Sequence, residues 1–303
     1  MSKFESKQKR LELANKRREA EEQRRIKALY KEVTEGVLDD VASIFERLEV
    51  GGKLTYEEMA KFKRLDRLMQ GITLRINGLT KRRRNELLKY LAESYSYSYE
   101  YMAYSIETTA LARLNYTAIT AEQIQKATSN PVTGLTLTQT LEKNRSEIIY
   151  KVQQVVTRSL VEGATYGQMA KVLKETFDGD YKKSIRVART EAHRIVESGK
   201  FEAVTHANRQ GVIMTKKWNN VGDIRVRSKI GANHVVMQGQ TRPVDEPFDL
   251  GGVQADVPGS SGVARHDIHC RCFTTYEVKE IQRKTHSDLA DLTFEDWQKE
   301  RLK

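Results

Sequence analysis

The sequence predicts a mainly α-helical N-terminal part followed by a small α+β C-terminal domain, and a contrast in composition along the chain indicates it. The first 130 of the 303 residues contain no proline, which favours long helices because proline breaks them. Residues 212 to 278 hold three prolines and seven glycines, a composition typical of short strands and turns. We therefore expect an elongated helical region over 1–130, a helical connecting region over 131–211 and a small α+β module over 212–303.

The overall composition excludes several classes of protein. No apolar run approaches the ~20 residues that span a bilayer, so we expect no membrane segment, and the charged N-terminus lacks the apolar core of a secretory signal. Two cysteines in so long a chain exclude a disulfide scaffold. The 52 Lys and Arg residues exceed the 41 Asp and Glu residues, a net charge of +11. This balance favours binding to polyanions, among which nucleic acid is the obvious one.

The first predicted helix is strongly charged. Residues 1 to 35 carry eleven basic and seven acidic side chains, several of them in Glu–Lys or Glu–Arg pairs four residues apart that support a helix. Its apolar positions recur too loosely for a strict heptad, so we expect a projecting, solvated helix. The alternative is an arm that binds nucleic acid or a partner. If it binds DNA, the basic residues that we expect to contact it are Lys9, Arg10, Arg17 and Arg18.

Two helices are predicted next. Thr55 and Glu58 form a capping box that opens the first, which we expect to end near Gly71. The second begins after the basic run 81–84, which either contacts phosphate or is a solvated helix start. Its members are Lys81, Arg82, Arg83 and Arg84. The helix then carries a stripe of tyrosines on one face, which serves either packing or an interface. The stripe consists of Tyr90, Tyr97, Tyr101 and Tyr104.

Three further helices are predicted over 137–162, 165–179 and 181–209. Thr165 and Gln168 form a second capping box that opens the middle one. We expect that helix to end at Gly179 and the last helix to end at Gly211, because glycine adopts the left-handed conformation of a helix C-terminus.

The C-terminal module contains short motifs in a fixed order. They are Thr190-Glu191 on the last long helix, the strand pair Lys216 and Trp218, Arg225 and Arg227, His234, the turn Gly239-Gln240, Pro258-Gly259, and Cys270-Arg271-Cys272 before a strand over 273–276. This order resembles the Mu F-like phage head morphogenesis family over residues 185 to 278. Two positions depart from the family pattern: His269 stands where an Asn is typical, and the spacing from Arg227 to His234 is longer than usual.

The resemblance implies a function and its partners. Members are minor head (capsid) proteins of tailed bacteriophages, made late in infection. By resemblance, this one would be made in the host bacterial cytoplasm and lie in the capsid interior near the portal vertex. It would act in head morphogenesis and in genome packaging or ejection. The implied partners are the portal protein, double-stranded genomic DNA bound without sequence preference, and a scaffold or major capsid protein, with no membrane and no cofactor. The portal-binding candidates are the tyrosines of the stripe.

The Cys-x-Cys motif allows three chemical interpretations. In an extended segment Cys270 and Cys272 point the same way, so they could bind zinc together with His234 and His266. They could instead be plain buried thiols that pack the small domain. Redox sensing or intermolecular disulfides are the third interpretation. The spacing is shorter than the usual gap of zinc-binding cysteines, and we therefore expect no metal.

An enzyme is the alternative to a structural head protein. A nuclease or a nucleotide-acting, toxin-like domain could use His234 as general base, while Arg227, Arg271 or Glu191 holds a phosphate or orients the imidazole. These groups can equally form a polar network that ties the loop to the helix. Because the sequence contains no Walker-type loop, metalloprotease motif or nucleophile elbow, we expect a protein without enzymatic activity.

Overall fold

The computed structural model describes residues 2–129 and 134–302. Its α-helices are α1 (Lys3–Leu48), α2 (Tyr56–Ala60), α3 (Arg64–Ala110), α4 (Ala121–Ser129), α5 (Leu137–Val161), α6 (Tyr166–Arg209), α7 (Ala264–Asp267) and α8 (Phe294–Arg301). Its strands are β1 (Val212–Asn219), β2 (Ser228–Lys229), β3 (Ala232–Asn233), β4 (Thr241–Pro243), β5 (Phe248–Asp249), β6 (Gln254–Ala255) and β7 (Phe273–Ile281). Long helices followed by short antiparallel strands confirm the predicted fold class.

The predicted capping box at Thr165 forms with both of its hydrogen bonds, and at Thr55 the N-cap hydrogen bond forms. The Thr55 hydroxyl accepts a hydrogen bond from the Glu58 amide at 3.2 Å and opens α2. The Thr165 hydroxyl accepts from the Gln168 amide, and the Gln168 side chain accepts from the Thr165 amide at 2.8 Å, ahead of α6. These contacts satisfy amides that the helix itself leaves unpaired.

Two predicted helix ends are wrong, because α3 continues through Gly71 and α6 continues through Gly179. A single glycine inside a helix costs only about 1 kcal/mol relative to alanine, which the packing of a long helix offsets. The break lies earlier, at Phe62 and Lys63, whose φ angles are 53° and 55°. The end of α6 is as predicted, since Gly211 follows it with a φ of 86°.

The chain forms two compact units that interleave along the sequence. Unit 1 comprises residues 1–20, 88–136 and 187–303, and unit 2 comprises residues 21–87 and 137–186. Each of α1, α3 and α6 therefore contributes residues to both units. The sequence predicted three successive regions, which were distinguished by their secondary structure and not by these compact units. That division stays a prediction. Within the described residues, every helix that is long enough to cross a bilayer lacks the apolar stretch that a membrane span requires.

The expectation that the first helix projects into solvent is wrong. In unit 2, Ile26 and Val37 of α1 are buried, and in unit 1 so are Phe4 and Leu11. Polar residues also lie on its buried face, among them Lys7, Gln8, Asn15 and Glu22. They interrupt the apolar spacing, and for that reason the sequence pattern looked solvated.

The sheet of unit 1 has the strand order β4-β1-β7, with both pairs antiparallel. One face of β1 is buried, and its residues are Val212, Met214, Lys216 and Trp218. Trp218 lies opposite Thr274 of β7, so the ends of these two strands bring the Trp218 ring to the segment that carries the two cysteines. Trp218, Cys270 and Cys272 belong to one buried cluster of the small module.

Candidate functional site

The site is a buried cluster of one histidine and two cysteines in unit 1. The Nδ1 atom of His234 lies 3.6 Å from the Cys270 sulfur and 3.5 Å from the Cys272 sulfur. These three ligand-type atoms all lie within 4.8 Å of one another. None of the three side chains is more than 5% exposed. Imidazole nitrogen and thiolate sulfur are ligands that a soft or borderline metal ion prefers.

A tight turn orients the two cysteine side chains toward His234. The buried Asp267 carboxylate accepts hydrogen bonds from the amides of Ser261 and Gly262, at 3.2 and 2.7 Å, and the Asp267 carbonyl accepts from the Cys270 amide at 3.1 Å. The turn passes through His269, whose φ is 56°. The cysteines precede β7, which begins at Phe273 as predicted. Both sulfurs face the same nitrogen of His234, so the prediction that they point the same way holds.

The conformation of His269 explains one departure from the family pattern. Positive φ is unfavourable for most residues but tolerated by Asn, Asp and His. A histidine can therefore replace the typical asparagine without changing the turn. The His269 amide donates to the Thr190 hydroxyl of α6 at 3.2 Å, which ties the turn to the helix.

The second departure, the longer spacing from Arg227 to His234, is taken up by a small hairpin. Strands β2 and β3 pair within it, and the His234 amide donates to the Arg227 carbonyl at 2.8 Å. The extra residues therefore form a hairpin whose two ends are hydrogen-bonded to each other, so the longer spacing does not move His234 away from the site.

His266 lies behind His234 rather than beside the thiols. Its Nδ1 atom is 3.1 Å from Nε2 of His234, and the two rings meet edge to edge, with planes 13° apart and centroids 5.4 Å apart. The sequence placed His266 among the candidate metal ligands together with His234 and the cysteines. Its position instead suits a residue that orients His234, because the nitrogen of His234 facing it is not the one that faces the sulfurs.

His193, on α6, is the residue of this site that the sequence analysis missed. Its side chain is half-buried and interacts with the Cys270 thiol. Burial lowers the pKa of His193, but the hydrogen bond and charge of Cys270, together with the charge of Glu197, raise it by more. Gly259 makes room for the ring, since a Cβ there would lie 3.2 Å from Cδ2 of His193. This contact explains the Pro-Gly motif; the sequence alone gave no signal that His193 meets residues so far along the chain.

The two thiols share a hydrogen bond that separates their acidities. That bond lowers the pKa of Cys272 and, together with burial, raises the pKa of Cys270. An apolar shell surrounds them: the Trp218 ring stands at 85° to the His234 ring at 5.6 Å, and Phe248 packs on Trp218 at 5.2 Å. A cluster enclosed in this way suits structural chemistry better than turnover of a large substrate.

The residues of the enzyme hypothesis do not converge on His234. Arg227 donates to the Ile268 carbonyl, and Arg271 pairs with Asp223. Glu191 forms a buried ion pair with Arg194 at 2.8 Å, and burial raises its pKa. Among the described residues these side chains therefore make separate contacts that link loop and helix, which agrees with the polar-network interpretation.

The predicted DNA contacts differ in how accessible they are. Arg83 is only 2% exposed and donates to the Tyr30 hydroxyl at 2.5 Å, so including it among the DNA contacts was wrong. The exposed Arg82 pairs with Glu32 at 2.6 Å, and Arg84 is half-buried. In unit 1, Arg18 lies over the Tyr97 ring at 4.2 Å. Four of the predicted DNA-binding residues are exposed and have no carboxylate partner among the described residues. They are Lys9, Arg10, Arg17 and Lys81.

The tyrosine stripe is largely covered within unit 1. Tyr90 is buried at 6% exposure, so this residue of the predicted portal surface cannot reach a partner. Tyr97, Tyr101 and Tyr104 are half-buried and pack around Phe294 of α8, with ring centroids 5.0 to 5.8 Å apart. Packing is therefore the main role of this face.

Comparison with known proteins supports the resemblance to the Mu F-like family. The model of the family described as phage Mu protein F like protein matches residues 150–275. Minor head protein GP7 of Bacillus phage SPP1 is 29% identical over 272 residues, which cover 86% of each chain. These similarities support a place for the chain in the Mu F-like family of phage minor head proteins. The family match begins on α5, ahead of residue 185 where the sequence motifs begin.

A second relative carries an enzymatic name. NAD(+)–arginine ADP-ribosyltransferase EFV of Enterococcus faecalis is 30% identical over 199 residues. The match covers 66% of this chain but only 40% of the transferase, so more than half of that enzyme lies outside the shared region. No solved structure matches the chain.

Proposed function

We propose that this Mu F-like minor head protein associates with the portal, enters the procapsid and contacts the packaged genome without sequence preference. The observation that carries the proposal is the match to the SPP1 minor head protein, because it covers 86% of both chains. A similarity of that extent spans both compact units and not the motif-bearing module alone. It therefore supports a shared role for the whole chain.

The DNA contact is proposed from charge and accessibility. The net charge of +11 favours phosphate, and neutralising phosphates releases counterions whatever the base sequence. Among the exposed candidates, Lys9 and Arg17 lie on α1 in unit 1 and Lys81 lies on α3 in unit 2. Because these residues are spread over both units, they suit weak, salt-sensitive binding to packed DNA rather than reading of a sequence.

The portal contact is proposed for the exposed parts of Tyr97, Tyr101 and Tyr104. Half-buried tyrosines held by α8 present a rigid, amphipathic edge, a feature common at protein interfaces. Tyr90 is left out because it is buried. A scaffold or major capsid protein is a further proposed partner.

An enzymatic function is not favoured. Its proposed base, His234, is 1% exposed, and its other residues make separate contacts. The similarity to the transferase leaves most of that enzyme unmatched, so its activity can reside outside the shared region. Incubation of the purified chain with plasmid DNA, with and without chelator, should give no cleavage.

Capture by the portal ring of the same phage tests the proposed partner. Purified portal rings on a resin should retain the wild-type chain, and a Tyr97→Ala, Tyr101→Ala double variant should be retained less. The matched control is Tyr150→Ala, which alters a tyrosine of α5 that is 61% exposed and lies outside the stripe. Equal retention of wild type and double variant would refute the tyrosine surface, and no retention of the wild type would refute portal association.

A further inference from the structure

We infer that unit 1 contains a structural zinc site that the sequence did not predict. Its ligands are His193, His234, Cys270 and Cys272. The inference rests on the geometry of the cluster and is independent of the portal and DNA proposals. It concerns how the motif-bearing module is held together, since the four ligands come from α6, the loop after β3 and the turn before β7.

The distances within the cluster match those of a tetrahedral site. With Zn–S near 2.3 Å and Zn–N near 2.05 Å, tetrahedral angles place a ligating nitrogen about 3.6 Å from a ligating sulfur. The observed distances from Nδ1 of His234 are 3.6 and 3.5 Å. One ion between these atoms would therefore meet three ligands with little movement of the side chains.

The short Cys-x-Cys spacing does not prevent this arrangement. The turn through His269 has a positive φ and directs both sulfurs at the same histidine nitrogen. On the histidine side, the hydrogen bond between His234 and Arg227 closes the segment between these two residues and holds His234 at the site. The turn itself is anchored on the buried carboxylate of Asp267.

His193 supplies the fourth side of the site. It lies against Cys270, and its Nε2 atom is buried without a hydrogen-bond partner among the described residues. A buried nitrogen without a hydrogen-bond partner is unfavourable, and coordination of an ion by this nitrogen would satisfy it. Two histidines and two thiolates form one of the common ligand sets of closed, structural zinc sites.

The surroundings provide the support that a metal-bound histidine needs. Nδ1 of His234 would bind the ion in the tautomer that carries the proton on Nε2, and Nε2 would then donate to Nδ1 of His266, which lies 3.1 Å away. Arg265 approaches the other nitrogen of His266 at 3.4 Å, a long contact that an exposed side chain can give up. The Trp218 and Phe248 rings exclude water, which disfavours an open catalytic position.

Metal content of the full chain, expressed in zinc-supplemented medium, tests the inference. We expect one equivalent of zinc per chain, measured by inductively coupled plasma mass spectrometry after purification. Cobalt substitution should give the intense visible bands of a tetrahedral ion and a sulfur-to-cobalt charge-transfer band. A metal content equal to that of the Cys270→Ser, Cys272→Ser double variant would overturn the site, and so would a Cys270–Cys272 disulfide in the native protein.

Single variants test the ligand set. His193→Ala and His234→Ala should each weaken zinc binding at least tenfold and change the cobalt spectrum. The matched control is His269→Asn, which removes an exposed histidine next to Cys270 and keeps a residue that tolerates positive φ. Unchanged affinity in His193→Ala would overturn the four-ligand site.

If these variants fail to fold, a measurement on the wild-type chain still tests the site. Chelator should lower its thermal midpoint, and added zinc should restore it. A midpoint insensitive to both treatments would overturn a structural role for the ion.

Discussion

The imidazole of His266 meets that of His234 edge to edge, with Nδ1 of His266 3.1 Å from Nε2 of His234. The opposite nitrogen of His234 faces the two cysteine sulfurs. His234 is thus held from both sides, by a hydrogen-bonding partner behind it and by the proposed metal position in front. This relationship assigns different roles to two histidines that the sequence could only treat alike.

The first prediction concerns His266. His266→Ala should weaken zinc binding by about 10–100-fold, as expected when a metal-bound histidine loses its outer hydrogen-bond partner. The cobalt spectrum should keep its tetrahedral character, because the ligands remain. Competition with a chromophoric chelator measures the affinity, and a loss of cobalt–sulfur bands would show that His266 is itself a ligand.

The second prediction concerns a buried ion network in unit 1. Lys200 is 1% exposed, and its ammonium lies 2.7 Å from Glu12 and 2.5 Å from Glu197. Lys200→Met should lower the free energy of unfolding by about 3–5 kcal/mol, because it leaves the buried Glu197 carboxylate without its cationic partner. Urea unfolding followed by circular dichroism measures this change.

The matched control for Lys200 is Lys182→Met in unit 2. Lys182 is also paired, 2.7 Å from Asp178, but its side chain is 73% exposed. An exposed pair contributes about 0–1 kcal/mol. Similar losses in both variants would show that burial does not determine the effect.

The third prediction concerns the pH dependence of stability. Lys216 is fully buried between the rings of Phe201 and Phe248, and burial lowers its pKa from 10.5 to about 8. The folded state then binds fewer protons than the unfolded state between about pH 8 and 10.5, so this group makes stability rise with pH across that window. The difference should reach at most about 3 kcal/mol.

Lys216→Met removes this titration. Other groups also titrate between pH 8 and 10.5, so the quantity to measure is the difference in unfolding free energy between wild type and variant at each pH. The variant should be the more stable near pH 7, and its advantage should shrink toward pH 10.5. A difference that does not vary with pH would contradict the assigned pKa.

The fourth prediction concerns DNA. A Lys9→Gln, Arg17→Gln, Lys81→Gln variant removes three exposed cations without carboxylate partners among the described residues. The logarithm of its binding constant should depend less steeply on the logarithm of salt concentration, with the slope reduced by up to about 3. Filter binding over a salt series measures the slope.

The control for the DNA prediction removes the same number of charges from paired cations. In Lys31→Gln, Arg158→Gln, Lys182→Gln, each altered residue is exposed and already pairs with a carboxylate four residues away. This variant should keep most of the wild-type slope. Equal slopes in the two variants would show that only the net charge matters and that the proposed residues have no special role.

Local features of the fold could be predicted from the sequence. The caps at Thr55 and Thr165 involve residues three apart, and the end of α6 at Gly211 depends on one φ angle, so each is encoded within a few residues. The ends expected at Gly71 and Gly179 were wrong because the same glycine signal is overridden when a helix packs along its length.

Long-range features could not be predicted. His193 meets Cys270 across 77 positions of sequence, and no periodicity relates them. Arg83 looks like its basic neighbours in the sequence, but it is buried with Tyr30 in unit 2. The candidate site was therefore found only in part: the motif identified His234, Cys270 and Cys272, while the roles of His193 and His266 depend on tertiary structure.

The most direct test of the proposed function is incorporation into procapsids assembled with and without the portal. The chain would be co-expressed with the major capsid and scaffold proteins of its own phage, and particles isolated on a gradient would be quantified by mass spectrometry. We predict a low, constant number of copies in particles that contain the portal and few or none in particles that lack it. Equal amounts in both, or absence from portal-containing particles, would contradict it.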